Sequence, residues 1–510
     1  MFILLPMVQG LLHQLIKVYL QGRTTVCPCF FVNYMTKLIF IIIFNIIQLS
    51  SIVGQTFQFE YSTPNDDKLW DVFETDDGNF FCVGHVAKPL SNHFSGLILK
   101  INADGQLVEK REYTSVDRSY DIKGILQDTL GALILCGSSS DTTPNMYETY
   151  LELRRIDYEF QILDSNSYLL DSNRSLNRIG KQLGFNNDLL FTGGLFSENP
   201  PPYSKTLLAR LNQAFDSLIF IQHLGGPGEQ ISQLDDSTYW CIGWIGGYAY
   251  NTLDTQFNFI DSQQSASSIR NAYGLKWVND TSFLMVGDIV SKDIAFIHQY
   301  HPMDTTGHLY NEWGKANVFD HPAFNGALDF QNLDSVYIGA VSPFSIGWPN
   351  HAAKYVILQT DSLLNVRWER FYGEGKYYYE LMKVLATKDG GCLLAGTKYN
   401  YESGIEERDI YIIKLDSEGL IVGNTEHSEL EMRESIVYPN PGTNEIKIRI
   451  AAQHPVSLFQ LLDMNGKLVK SDNVNGKWGL INTTNLNPGT YIYRITSEQG
   501  LFETGKWIKQ

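Results

Sequence analysis

The chain has 510 residues, of which 13% are aromatic and 42 are glycine, and it carries a formal net charge of −17 at pH 7. A chain this acidic is a poor partner for nucleic acid or an anionic membrane, both of which select a basic face. The aromatic and glycine content argues for β structure.

The first recognisable element is a secretory signal at 35–54. Lys37 precedes about twelve mostly apolar residues, Leu38 to Leu49, and small polar residues follow, Ser50, Ser51 and Gly54. The run is shorter than the ~20 residues that span a bilayer, so cleavage near Gly54 is expected and no transmembrane anchor remains in the mature chain. Residues 1–34 fit poorly before such a signal and read as a non-native extension, with translation starting at Met35; a long signal or an anchor at 2–20 is the competing reading. This prefix holds Lys17, Arg23 and Lys37 and no acid, so its loss takes the charge to −20.

Residues 56–425 carry seven copies of one pattern, in which a polar turn precedes an apolar strand ending in glycine. The glycines are Gly84, Gly137, Gly193, Gly243, Gly287, Gly339 and Gly396, spaced by 53, 56, 50, 44, 52 and 57 residues. A period near 50 with several short strands per unit predicts a seven-bladed β-propeller; a solenoid is the rival. A further strand follows each glycine, then a tight turn, clearest at Asn102–Gly105 and Asp416–Gly419, then a closing strand; the fourth repeat is degenerate there. Strand alternation places all the long links on one face, among them 85–95, 138–149, 197–206, 341–352 and 397–408. Phe57, Phe59 and Tyr61 suit a clasp strand pairing with 420–423 of the last unit. Cys82, Cys136, Cys241 and Cys392 lie far apart inside apolar strands and read as buried free thiols.

No nucleophile elbow, phosphate-binding glycine loop, zinc-protease motif or EF-hand loop is present, and no catalytic residue is assigned. His298, His301, Asp304 and His308 make the best local cluster, which reads as chance clustering, so no metal is expected. His85 and Asp288 follow repeat glycines and read as solvated loop residues. Glu402, Glu406, Glu407 and Asp409 have the oxygen chemistry that Ca²⁺ takes, but a solvated charge run is the expectation, and no cofactor is assigned. Loop aromatics at Tyr203, Trp348, Tyr399 and Tyr401 suit carbohydrate or protein surfaces, or pack against neighbouring loops.

After an acidic linker at 426–434, the last segment, 435–510, shows short alternating strands separated by turn residues, the pattern of a small antiparallel β-sandwich. Asn465-Gly466 suits a type I′ turn and Pro488-Gly489 a type II turn. Four pieces occur in order: Tyr438-Pro439-Asn440-Pro441, then Asp463-Met464-Asn465-Gly466, then Asn485-Leu486 with Pro488-Gly489 and Tyr491, then the basic tail with Lys506 and Lys509. Together they resemble the type A C-terminal sorting domain of the type IX secretion system of Bacteroidetes, over about 15% of the chain. That resemblance implies interaction with the type IX machinery, export across the outer membrane, removal of the domain, and release or surface attachment. The repeats more faintly resemble the delta-60 and quinoprotein-like propellers found with such domains.

The expectation is therefore an all-β chain, a propeller followed by a sandwich, secreted or held at the outer-membrane surface. The body binds a protein or glycan on its long-loop face without catalysis. The alternatives are a polysaccharide- or peptide-degrading enzyme, with acid–base carboxylates assembled from several blades, or a structural adhesin.

Overall fold

The computed structural model describes residues 55–510, apart from 422–435, 450–455 and short stretches elsewhere, among them 88–92, 142–147, 197–203 and 304–307. The signal at 35–54 and the extension at 1–34 lie outside the described residues. All described regular structure is β, and no described helix is long and apolar enough to cross a membrane.

Between Phe57 and Leu415 the strands form seven antiparallel sheets in chain order. Sheet 1 runs Asp66–Glu74, Phe80–Ala87, Phe94–Ile101, Leu107–Tyr113. Sheet 2 is Arg118–Gln127, Leu133–Asp141, Glu148–Ile156, Ile162–Ser172. Sheet 3 is Ser175–Leu183, Leu189–Phe196, Ser204–Leu211, Leu218–Leu224. Sheet 4 is Gly228–Gln233, Tyr239–Trp244, Tyr248–Leu253, Phe259–Gln264, so the fourth unit is complete. Its third strand hides in the sequence because a polar residue is buried there: Asn251 donates to Cys241 O and Ala249 O. Sheet 5 is Ile269–Asn279, Ser282–Ile289, Ile294–Gln299, His308–Trp313. Sheet 6 splits its first strand into His321–Pro322 and Leu328–Asn332, both paired to Ser335–Ser342, then adds Lys354–Thr360 and Val366–Tyr372.

Sheet 7 has Tyr377–Ala386, Cys392–Asn400 and Asp409–Leu415, and its fourth strand comes from the other end of the region. Phe57–Tyr61 pairs antiparallel with Asp409–Leu415, Phe57 opposite Lys414 and Tyr61 opposite Ile410. The expected partner was 420–423; the strand instead takes the free edge of 409–415, the place that each earlier sheet fills with its own fourth strand. Each first strand packs against the preceding sheet, and the first strand of sheet 1 packs against sheet 7. Cys82, Cys136, Cys241 and Cys392 are buried free thiols on second strands.

The turns that follow the third strands of sheets 1, 2, 3, 4, 6 and 7 share one form. An Asp or Asn leads, and the residue three positions on returns its N–H to that residue's carbonyl: Gly105 to Asn102, Phe160 to Asp157, Phe215 to Asn212, Phe257 to Asp254, Leu364 to Asp361 and Gly419 to Asp416. That residue is left-handed, with φ of 81° at Gly105 but also 61° at Phe160, 57° at Phe215, 62° at Phe257 and 63° at Leu364. Such a backbone costs a side-chain-bearing residue about 1–2 kcal/mol. Burying the side chain returns roughly 1.5–3 kcal/mol, and all four are buried in the core. Glycine serves where an aromatic ring fills the space: a Cβ on Gly105 would sit 2.4 Å from the Phe57 ring, and one on Gly419 2.6 Å from the Trp368 ring. The left-handed residue also ties successive sheets together. Asn166 donates to Phe215 O at 2.8 Å and Asn311 to Leu364 O at 2.8 Å, each from the fourth strand of the preceding sheet.

The C-terminal segment forms two antiparallel sheets. One is Ile436–Tyr438, Glu445–Arg449, Trp478–Asn482; the other runs in the order Leu468–Asn475, Val456–Leu462, Gly489–Ser497, Gly500–Lys509. They share a core of Ile446, Ile448, Ile481, Phe459, Ile495 and fully buried Trp507.

Candidate functional site

The repeat glycines stand on the second strands, facing the irregularity of the first. In sheets 1, 2, 4, 5 and 7 the bulge adds one residue to the first strand: Trp70, Lys123, Glu229, Tyr273 and Met382. Gly84, Gly137, Gly243, Gly287 and Gly396 lie opposite the residue before each bulge, and Gly193 lies opposite Ile179, where the register of sheet 3 shifts. The bulge tips a first-strand carbonyl onto the second strand, leaving no room for a side chain. A Cβ would come within 1.8 Å of Lys68 O at Gly84, 2.1 Å of Asp121 O at Gly137, 2.2 Å of Asn271 O at Gly287 and 2.1 Å of Glu380 O at Gly396. Gly339 faces the break in the first strand of sheet 6, donating to Ala327 O at 2.8 Å and accepting from Ala323 N at 3.0 Å.

A bulge re-aims a side chain, and four of these extra residues, Trp70, Glu229, Tyr273 and Met382, line one cleft of about 550 Å³. Its floor is the segment between the two halves of the split strand. Phe324 N and Asn325 N donate to Leu381 O and Met382 O of sheet 7, and Ala327 N donates to Tyr273 O of sheet 5. Asn325 Nδ2 reaches the carbonyls of Trp70 in sheet 1, at 2.9 Å, and Lys123 in sheet 2, at 3.1 Å. Asn325 thus binds the first strands of sheets 1 and 2 from sheet 6. A second cavity of about 200 Å³ also borders on Asn325, together with Gly326, Lys181 and Lys383.

Beside the cleft lie two ion-paired carboxylates, one buried and one half-buried. Asp71, fully buried, accepts from Lys181 of sheet 3, from Lys383 Nζ of sheet 7 at 2.5 Å and from Ile125 N of sheet 2 at 2.9 Å. Burial opposes its ionisation, but the two ammonium groups outweigh that and hold its carboxyl below the usual range. Asp121 accepts from Lys123, from Trp70 Nε1 at 2.7 Å and contacts His85 Nδ1 at 2.8 Å; against burial, Lys123 and His85 hold it low as well. His85 is therefore a buried group engaged with Asp121, not a solvated loop residue. Asp288 is half-buried and accepts from Asn271 N at 3.1 Å and Nδ2 at 2.9 Å.

The cleft rim is formed by Phe344–Trp348, from the link between second and third strands of sheet 6, and by Arg408, from the same link in sheet 7. Arg408 binds Asp66 through Nε at 2.8 Å and a terminal nitrogen at 2.7 Å, and Glu380 at 3.3 Å. Its guanidinium lies 4.5 Å over the Trp348 ring. Trp348 also meets Tyr399 edge-on at 4.8 Å, and Tyr399 donates to Pro349 O at 2.7 Å. Tyr401 donates to Gly375 O at 2.7 Å, so these three loop aromatics pack within the protein; Tyr203 lies outside the described residues. Among the described residues no three His, Cys, Asp or Glu side chains converge to hold a metal ion. Asp304 of the histidine cluster is not described, and His298 is buried against Tyr300. The sequence gives no warning of Asn325, in the turn between the two halves of the split strand, or of Lys181 and Lys383 in their strands.

In the C-terminal sandwich the motif pieces meet. Asn440 Nδ2 donates to Lys506 O at 2.7 Å, and Asn440 Oδ1 accepts from Ile508 N at 2.9 Å. Gly442 and Gln510 extend this pairing, and the Lys509 ammonium donates to Thr443 O. Gly466, at φ 78°, returns its N–H to Asp463 O, and Lys467 N donates to the Asp463 carboxylate at 2.9 Å. Leu486 N donates to Thr483 O at 3.0 Å, and Tyr491 OH to Asn487 O at 2.7 Å. Gly489 has φ 159° and opens a strand, so Pro488-Gly489 is not a type II turn; the chain already turns at 483–486. Pro439 and Asn465 lie outside the described residues.

The chain thus joins an all-β body to a terminal sandwich whose distant motif pieces are hydrogen-bonded together. Residues 436–510 match the secretion system C-terminal sorting domain family. This domain marks proteins exported by type IX secretion, and the protein is secreted or attached to the cell surface. No curated protein matches the chain. Among solved structures it is similar to a protein of unknown function from Bacteroides caccae, at 10% identity and TM-score 0.35, covering 54% of this chain and 90% of that one. A protein of unknown function from Dyadobacter fermentans has 8% identity and TM-score 0.43, with 71% and 98% covered. PorZ, a surface component of the type-IX secretion system of Porphyromonas gingivalis, has 8% identity and TM-score 0.23, with 87% and 81% covered. Superpositions this distant carry no argument about the body's function.

Proposed function

We propose that residues 56–425 form a seven-bladed β-propeller, closed by the strand Phe57–Tyr61, that acts as a non-catalytic binding module for a protein or glycan. Its export begins with a signal peptide at 35–54 and is completed through 435–510. The observation that carries this reading is the cleft. Bulge residues from sheets 1, 4, 5 and 7 converge on it, and its rim comes from the links of the long-loop face. Ring closure is supported by the packing of sheet 7 on sheet 1 and by Asp71, which joins sheets 1, 2, 3 and 7. A binding role is favoured over acid–base chemistry because Asp71 and Asp121 are locked to lysines that hold both carboxyls below the usual range, unsuited to proton transfer near neutral pH.

The test is a binding screen of the purified exported protein against glycans and surface proteins, with and without Ca²⁺, alongside the Phe344→Asp variant. The reading predicts a ligand whose binding the variant abolishes. Turnover of a polymer, or binding indifferent to Phe344, would contradict it.

A further inference from the structure

Within the cleft one charge stands apart. Arg408 is held by Asp66 and Glu380, and the Glu229 carboxylate accepts from Ala272 N. Lys68 Nζ has no hydrogen-bond acceptor and no ion-pair partner among the described residues; its contact is the Trp70 ring, 4.3 Å away. Its charged neighbours are of both signs: Lys123 Nζ lies 4.4 Å from that ring and Arg408 is on the same cleft wall, while the Glu380 and Asp121 carboxylates act on it from groups already bound to Arg408 and Lys123. Burial and then Arg408 pull the Lys68 ammonium down to about 8. A half-buried ammonium without a hydrogen-bond acceptor leaves free energy that an incoming anion would recover.

The rest of the cleft limits what that anion belongs to. The Trp70 ring is contacted by the two ammonium groups and Trp348 by the Arg408 guanidinium, so cations already compete for the indole faces on which a sugar ring would stack. The remaining apolar lining is Phe196, Phe324, Phe344, Met382, Tyr273, whose ring packs edge-to-face with His321 and Phe324, and, at the rim, Ile346, which is 87% exposed. Phenyl and aliphatic groups suit an apolar side chain. The formal charge of −17 disfavours polyanions, leaving a ligand with one carboxylate beside one apolar group.

We propose that the cleft receives a peptide, whose carboxylate pairs with Lys68 and whose neighbouring apolar side chain lies on Phe324, Phe344 and Met382. The inference rests on the reading of the cleft as a binding site and names its ligand class. The carboxylate comes from a chain end or from an Asp or Glu side chain.

The experiment titrates the full exported protein with fluorescein-labelled peptides Gly-Ser-Gly-Ser-Leu-Phe. One carries a free C-terminus, one is amidated, and one is amidated with Asp before the Phe. Oligogalacturonate serves as the sugar control. Binding by a carboxylate-bearing peptide is expected, about tenfold or more above the plain amide, which is the scale of a charged hydrogen bond. Free-acid binding identifies a chain end and Asp-peptide binding a side chain. Lys68→Gln should erase the difference and Lys68→Arg retain most of it, with unchanged melting showing that both fold. Equal binding of acid and amide, lost in Phe344→Asp, would overturn the role of Lys68 while sparing the cleft. Oligogalacturonate binding without peptide binding would overturn the peptide class. No peptide binding to folded protein would overturn the inference, leaving the cleft to its own screen.

Discussion

Gly84 faces Leu69 across the first hairpin of the body, and Trp70, the next residue, has no partner in that register. The missing Cβ lets the Lys68 carbonyl tip inward, and the resulting bulge turns Trp70 into the cleft. A glycine that reads in the sequence as a repeat marker is thus coupled to the site itself.

Gly84→Ala and Gly396→Ala should each destabilise the body by roughly 3 kcal/mol, since the added Cβ would meet backbone rather than a movable side chain. Gly375→Ala, with nothing within 4 Å and no left-handed φ, should be close to neutral. Urea unfolding of the three variants checks the contrast.

Asp71→Asn should cost about 3–5 kcal/mol, because it leaves Lys181 and Lys383 charged and uncompensated in the interior. Replacing both lysines by Met in the same background should recover much of the loss. Thermal melts of the single and triple variants test this.

Phe160→Gly relieves the left-handed backbone, worth about 1–2 kcal/mol, but forfeits a buried ring that contacts Phe81 at 5.8 Å. Deleting a buried Phe typically costs about 3–5 kcal/mol, so the variant should be less stable despite its easier backbone. Unfolding that shows a gain in stability would reverse the ranking of the two effects.

Asp67 is buried, and burial pushes its carboxyl up to about 7, against the hydrogen bonds from Thr63. The folded state therefore holds a proton that the unfolded state releases near the ordinary value of 3.8. The contribution is full below that value and is lost as pH rises towards 7. Asp67→Asn should match the parent near pH 4 and exceed it in stability at pH 8, as read by melting temperature against pH.

The secreted form should lack roughly residues 430–510, and Trp507→Ala, which empties the sandwich core, should block export. Intact mass of the extracellular protein and a comparison of cell and medium fractions check these outcomes.

The order of the sheets and the second strands was legible because each ends an apolar run at a glycine with a regular spacing. The closing strand was legible as a strand, but its partner was misplaced, since periodicity carries no register. Phe160, Phe215 and Phe257 concealed their turns, because left-handed positions are expected to be glycine and here burial outweighs strain. Asn325, Lys68 and the lysines on Asp71 were illegible for another reason. Their meaning comes from neighbours hundreds of residues away, as with Lys383 and Asp71.

Everything at the cleft depends on sheet 7 being completed by Phe57–Tyr61, which brings the first and last sheets together. Glu60 and Tyr411 are register partners across that seam, and the four described native thiols are buried away from mild oxidants. The pair Glu60→Cys and Tyr411→Cys should cross-link in the folded protein, giving faster migration without reductant and a raised melting temperature. Failure of that pair to cross-link, with the protein folded and both new thiols reactive, would contradict the closure and the cleft built upon it.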